Sequence, residues 1–209
     1  MNPLLEQIGR LRIVPVVIIQ DERDAEPLAQ ALLDGGLPTM EITFRTDAAK
    51  PAIGRIAKSH PSIVLGAGTV LTVDQVKAAV DAGAKYIVSP GIPRKVVEYC
   101  LKKNICVTPG VVTPTEIGVA LELGLDVVKF FPAEASGGIE YLKAISAPFP
   151  NLKFIPTGGI DESNLLPYLQ HPKVLAVGGS WMVKPALIAG KQFGEITRLT
   201  AQAIQKRGG

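Results

Sequence analysis

Eight short β-branched runs recur along this chain with helical segments between them, and that alternation restricts the fold more than any other feature. The runs are Ile13 to Ile19, Thr39 to Phe44, Ile63 to Ala67, Tyr86 to Ser89, Ile105 to Thr108, Asp126 to Phe130, Lys153 to Pro156 and Val174 to Val177. Between them lie stretches of helical spacing, among them Asp24 to Asp34, Thr72 to Ala82, Thr113 to Leu123 and Ser163 to Leu169. Several of these open on a Ser, Thr or Asp cap. Alternation of this kind implies parallel strands joined by helical crossovers. Eight units without a linker or composition break predict an α/β fold, an eight-stranded parallel (β/α)8 TIM barrel forming a single domain over residues 1–209. A doubly wound open sheet competes, but it would normally carry a Gly-rich turn after the first strand, and Ile18-Ile19-Gln20-Asp21 offers none. One more helix, near Pro3 to Arg12, is expected to cap the bottom of the barrel.

Composition narrows the partners. The net charge of +3 is small and scattered, with no Lys/Arg run, so nucleic acid is not expected. No stretch approaches the ~20 apolar residues that span a bilayer. The first ten residues lack the uninterrupted apolar core of a secretory signal. The expectation is a soluble, cytoplasmic protein with no membrane partner. Cys100 and Cys106 have neither CxxC nor zinc-finger spacing and read as buried thiols.

Unusual chemistry collects where the strands end. These ends read Glu41-Ile42-Thr43-Phe44-Arg45, Gly66-Ala67-Gly68-Thr69, Ser89-Pro90-Gly91, Thr108-Pro109-Gly110, Lys129-Phe130-Phe131-Pro132, Pro156-Thr157-Gly158-Gly159 and Gly178-Gly179-Ser180. Gly and Pro at one such end need be no more than turn formers. Seven ends together mark a site, and barrels of this kind carry their active sites on that face.

Lys129 is the residue with the strongest chemical implication. It ends a run that otherwise reads as a buried strand, and burial penalises the charged form of an amine and so frees it as a nucleophile. Such amines attack carbonyl groups to form Schiff bases. The competing reading is a lysine whose stem covers apolar surface while its head reaches water. Side chains two apart on a strand share a face, so Glu41, Thr43 and Arg45 point one way, as do Val127, Lys129 and Phe131. If both sets face the barrel axis, an amine, a carboxylate and a guanidinium share one cavity. Schiff-base chemistry needs that set: a nucleophile, a proton shuttle, for which Glu41 is best placed, and a cation for an anionic substrate. A Glu41–Lys129 or Glu41–Arg45 pair that merely satisfies buried charge is the alternative. Asp126 belongs to the start of its strand, at the opposite end.

His60 and His171 each precede a proline just before a strand, which puts both on the N-terminal face. Several imidazoles on the site face would be wanted for catalytic zinc, so neither a metal nor another cofactor is expected. Thr157-Gly158-Gly159 and Gly178-Gly179-Ser180 are each expected to lead into a helical segment, at the strands where barrels commonly hold phosphate, and predict a phosphorylated ligand.

Together, Glu41-Ile42-Thr43-Phe44-Arg45-Thr46, Gly66-Ala67-Gly68-Thr69-Val70, Ser89-Pro90-Gly91, Thr108-Pro109-Gly110-Val111, Val128-Lys129-Phe130-Phe131-Pro132-Ala133-Glu134, Pro156-Thr157-Gly158-Gly159-Ile160 and Gly178-Gly179-Ser180-Trp181 resemble the 2-keto-3-deoxy-6-phosphogluconate and 4-hydroxy-2-oxoglutarate aldolases. The resemblance runs from about residue 10 to residue 200. It implies a homotrimeric barrel and class I cleavage of a 2-keto-3-deoxy-6-phosphosugar acid to pyruvate and glyceraldehyde 3-phosphate. It makes Lys129 the Schiff-base lysine and Glu41 the general acid/base, with Arg45 and Thr69 on the pyruvate carboxylate. It further implies that Pro90 and Phe131 wall the site, that Thr157 approaches the intermediate, and that Gly158, Gly159, Gly179 and Ser180 hold the phosphate. Some relatives carry an arginine near the end of the first strand, where this chain reads Val17-Ile18-Ile19-Gln20.

Two other functions compete with the aldolase. A barrel isomerase could use Glu41 to move a proton without a covalent intermediate, but would leave Lys129 without a task. A phosphosugar-binding sensor would have no use for a costly buried amine.

Overall fold

The computed structural model describes residues 2–208. Among these residues there are nine strands: β1 (Ile13–Val17), β2 (Thr39–Thr43), β3 (Val64–Gly68), β4 (Tyr86–Val88), β5 (Cys106–Thr108), β6 (Gly110–Val111), β7 (Val127–Phe130), β8 (Lys153–Pro156) and β9 (Val177–Gly179). They form two parallel sheets, ordered β5-β4-β3-β2-β1-β9 and β6-β7-β8. The count departs from eight because the fifth run, Ile105 to Thr108, is followed past Pro109 by a further short strand. Proline has no N–H to give a ladder, so β5 pairs with β4 while β6, one residue further on, pairs with β7. The Pro109 carbonyl still accepts from Lys129 N at 2.9 Å.

The last strand is also displaced. The apolar run Val174 to Val177 was expected to form it, but β9 starts at Val177 and runs through the glycine pair. Val174 makes only an isolated bridge to Phe154, and Thr157 makes another to Gly178.

Helices alternate with the strands. They are α1 (Pro3–Leu11), α2 (Ala25–Asp34), α3 (Ala49–Ser59), α4 (Val73–Ala82), α5 (Arg94–Lys102), α6 (Pro114–Glu122), α7 (Gly138–Ser146), α8 (Leu165–Gln170), α9 (Pro185–Ala189) and α10 (Phe193–Gly208). Thr72 and Thr113 begin α4 and α6 through capping boxes with Gln75 and Glu116, each pairing two otherwise orphaned amide groups. Neither glycine-containing strand end leads directly into a helix: turns intervene before α8 and before α9.

Two hydrophobic clusters lie on opposite sides of the strands, as period-two alternation requires. One joins Ile13, Val17, Met40, Ile42, Leu65, Ala67, Ile87, Val107, Val128, Phe130 and Phe154 to the helices. The other, on the concave side, holds Val14, Val64, Tyr86, Val88, Cys106, Val127, Ile155 and Ala176, together with Leu5 and Ile8 of α1. The first helix therefore plugs the end of the fold where the strands begin. Asn2 caps it by accepting from Leu4 N at 2.9 Å, and Pro3 occupies its first turn. Gly9 permits the close approach, since a methyl there would lie 2.7 Å from Leu175 Cδ1. Arg12 then donates to the Val174 carbonyl at 2.8 Å and also to the Leu169 carbonyl.

Burial pushes the Cys100 thiol up to about 11 and the Cys106 thiol up to about 12, as unreactive buried groups. His60 ends α3 and His171 ends α8, both on the side where strands begin. No helix is long and apolar enough to cross a membrane among the described residues.

Candidate active site

The concave side is apolar near the plug and becomes polar towards the strand ends. Glu41 and Thr43 of β2 face inward from a strand buried throughout. Thr43 is spent on structure, its hydroxyl donating to the Val17 carbonyl at 2.9 Å. Glu41 instead crosses β3, in the space left by Gly68: a methyl on Gly68 would overlap the Glu41 carboxylate. Gly66, one step earlier on the same face, leaves room in the same way for the Tyr86 ring. The Gly66-Ala67-Gly68 pattern thus admits two large inward side chains.

Lys129 lies across from Glu41. Its Nζ is 3.5 Å from Glu41 Oε1, and the two side chains are only 8% and 5% exposed. The ammonium sits 5.0 Å from the Phe131 ring centroid, so Lys129 and Phe131 share a side as their spacing predicted. Glu41 Oε1 is buried and has no hydrogen-bond partner among the described residues. An unsatisfied buried acceptor is costly and is rarely tolerated without a role. Tyr86 and Thr108 enclose the pair from below together with Ile155. Burial first, and the Glu41 charge second, hold the Tyr86 hydroxyl far above its usual value, so it remains a neutral phenol.

Beyond this buried pair the cavity opens to about 260 Å³, lined by Val16, Ile18, Arg45, Phe131, Thr157, Gly158, Gly159, Ile160, Gly178, Gly179 and Ser180. Arg45 is exposed at its mouth, and its Nε donates to Thr69 Oγ1 at 3.3 Å. Thr69 has φ 56°, a conformation β-branched residues seldom adopt, which marks a strained point at the rim. Thr157 lines both the open cavity and the space around Lys129. Pro90 follows β4 at the same end, with its carbonyl against Gly110, and lines neither of these spaces.

The two glycine pairs differ. Gly158 and Gly159 have φ of 102° and 80°, open to glycine at no steric cost. Their carbonyls are occupied, by Glu134 N at 3.0 Å and Asn164 Nδ2 at 3.0 Å, while their amides have no acceptor among the described residues. Gly178 and Gly179 are small for another reason: side chains there would overlap Thr157 and the Trp181 ring. Of the residues bearing on the site, Tyr86, Thr108 and Glu134 had not been singled out from sequence. Tyr86 shares the parity of Val88, which could have placed it inward; Glu134 stood within a quoted motif without a role.

A family model for the KDPG and KHG aldolases matches residues 5–199. The chain belongs to this aldolase family. It is 47% identical over 205 residues to the 2-dehydro-3-deoxy-phosphogluconate aldolase of Treponema pallidum, covering 98% of both chains. It is 39% identical over 193 residues to the KHG/KDPG aldolase of Escherichia coli K12, covering 92% of this chain and 91% of that one. Among solved structures, the KDPG aldolase of Legionella pneumophila, with pyruvate captured at low pH as a covalent carbinolamine, superposes with a TM-score of 0.91 at 40% identity, covering 95% of this chain and 97% of that one. The three lines of comparison agree on the family, and the solved structure adds the curled parallel α/β fold.

Proposed function

We propose that this protein is a class I aldolase that cleaves 2-dehydro-3-deoxy-6-phosphogluconate to pyruvate and glyceraldehyde 3-phosphate. The observation that carries the reading is the buried Lys129–Glu41 pair, with its unsatisfied carboxylate oxygen, beside an open cavity that includes Arg45. Relatives bearing the name of this activity, and the neighbouring aldolase holding a pyruvate carbinolamine, support it.

Lys129 Nζ, as the free amine, adds to the C2 carbonyl of the substrate. Glu41 carries protons to and from the carbinolamine oxygen, which leaves as water and gives a protonated imine. That imine withdraws the C3–C4 electron pair as Glu41 takes the proton of the C4 hydroxyl, directly or through water. The aldehyde departs and the enamine of pyruvate remains. Protonation at C3 and hydrolysis return pyruvate and the free amine. Arg45 and Thr69 hold the planar carboxylate so that C2 sits at the amine. Phe131 walls the site, Pro90 stands at the same strand-end face without lining the cavity, Thr157 contacts the intermediate, and Gly158, Gly159, Gly179 and Ser180 receive the phosphate. The same residues accommodate 4-hydroxy-2-oxoglutarate, which yields pyruvate and glyoxylate.

The reading extends to the assembly. The two sheets close into one eight-stranded barrel and a single domain, supported by the two bridges from β8 towards β9 and by the single residue separating β5 from β6. A homotrimer is what the family resemblance implies, and a cytoplasmic location is what the sequence composition leads us to expect.

Borohydride reduction in the presence of pyruvate, followed by peptide mass spectrometry, tests the chemistry. A reduced pyruvyl adduct on Lys129 is expected. Absence of an adduct while pyruvate binds would move the reading to a non-covalent isomerase, and an adduct on another lysine would overturn the site.

A further inference from the structure

The segment after Lys129 does more than wall the cavity. Residues 133 and 134 run beside 157 and 158, with Ala133 N donating to the Thr157 carbonyl at 2.8 Å and Glu134 N to the Gly158 carbonyl at 3.0 Å. The stem of Glu134 lies on the next residue of that loop, where a methyl on Gly159 would stand 2.6 Å from Glu134 Cβ. A carboxylate therefore sits within a side chain's length of two glycines that line the cavity and whose amides have no acceptor among the described residues. Left to itself, a carboxylate there is the nearest anion for those amides, and it repels any other.

It is not left to itself. The Tyr168 hydroxyl, on α8, donates to Glu134 Oε1. The Tyr168 ring is 1% exposed and fixed in the core between α8 and the sheet. Burial, with the bond to Glu134 and its charge, holds the phenol well above its usual value, so the donor proton stays in place. Asn164, just ahead of α8, secures the same loop by donating to the Gly159 carbonyl.

The geometry points to Tyr168 as a positioning residue for phosphate recognition: it ties the Glu134 carboxylate to α8 and so keeps the Gly158–Gly159 amides open to the phosphate of the substrate. Tyr168 touches no reacting atom. The inference rests on the assignment of the phosphate to the glycine loop made above, and it names the tether on which that loop depends.

The test compares kcat and KM for the phosphorylated 2-keto-3-deoxy acid and for 4-hydroxy-2-oxoglutarate in four proteins: wild type, Tyr168→Phe, Glu134→Gln and the double variant. Phenylalanine keeps the buried ring and removes only the hydroxyl. The expected result for Tyr168→Phe is a KM for the phosphorylated substrate raised about five-fold, with kcat and both constants for the unphosphorylated substrate within about two-fold of wild type. Adding Glu134→Gln removes the loosened charge and is expected to restore that KM to within about two-fold, which a purely structural role would not allow. Unchanged KM in Tyr168→Phe, an equal rise for both substrates, or no rescue in the double variant would each overturn the proposal. Thermal melts of all four separate loss of fold from loss of binding. Equal kcat/KM for the two substrates in the wild type, with no competitive inhibition by inorganic phosphate, would instead overturn the glycine-loop assignment itself.

Discussion

The Glu41 carboxylate occupies the space where a side chain on Gly68 would stand. Carried on consecutive strands that are also neighbours in the sheet, these residues fix where the proton shuttle can sit. Gly68→Ala is expected to displace Glu41, costing about 1–3 kcal/mol in stability by overpacking and lowering kcat by about 10²-fold or more. Gly54→Ala on α3, where a methyl would meet only the Ala82 carbonyl at 4.0 Å, is the control and should retain full activity. Steady-state kinetics with thermal melts of both variants decides the point; a fully active Gly68→Ala would break the link.

Lys129→Met is expected to abolish pyruvate trapping and turnover. It also leaves Glu41 buried without its cation, and breaking such a pair costs about 3–5 kcal/mol. The double change Lys129→Met with Glu41→Gln removes the stranded charge and should recover much of the melting temperature while remaining inactive. Glu41→Gln alone should still form the imine, with turnover down about 10²–10⁴-fold. Borohydride trapping and calorimetry on the three variants distinguish these outcomes.

Acid should loosen the end of the fold opposite the site through His171. Burial, with Lys173, Lys143 and Lys153 nearby, holds its imidazole below the usual 6.5 in the folded chain, and its Nδ1 accepts from Lys173 N at 3.3 Å as a neutral ring would. The unfolded chain therefore binds the proton more readily. The stability contributed is full above the unfolded value and is lost as pH falls through the folded one. Melting temperatures between pH 8 and about 5 should fall less steeply for His171→Asn than for wild type; parallel curves would remove His171 from the account.

Cys100 and Cys106, both buried with thiols held up at about 11 and about 12, should resist alkylation in the folded protein at neutral pH. Iodoacetamide labelling read by mass spectrometry should modify them only after denaturation. Rapid labelling of Cys106 in the native protein would mean that the concave interior opens to solvent.

What could be read from the chain, and what could not, follows from the range of the interactions involved. Alternation along a strand is local, so the shared side of Lys129 and Phe131, and the inward direction of Glu41, were legible. The bounds of the last strand were not. Val174 to Val177 is apolar and β-branched, yet the ladder begins at Val177 because the partner strand, not the run itself, sets the register. Pro109, just past the fifth run, lacks a donor and separates β5 from an additional short strand, a defect visible in sequence whose consequence depended on which neighbours flank it. The glycines were the hardest. Gly68 makes room for Glu41, Gly178 for Thr157 and Gly179 for Trp181, and only Gly158 and Gly159 have the backbone freedom a ligand loop was thought to need. A missing side chain announces space but not its tenant. Thr69 gave no sign at all of its positive φ.

The plug helix has a consequence for how the molecule comes into being. Leu5 and Ile8 precede every strand in chain order, yet they pack with Leu175 and Ala176, and Arg12 is held by carbonyls at 169, 174 and 175. A nascent chain carries its stopper long before it owns the vessel. The loop joining these partners spans most of the polypeptide, and closing it belongs to the late stages of folding. Until then the Lys129 amine has no dry interior to work in, so a chain that stops between Lys129 and Leu175 holds its amine in water, without the burial the chemistry needs.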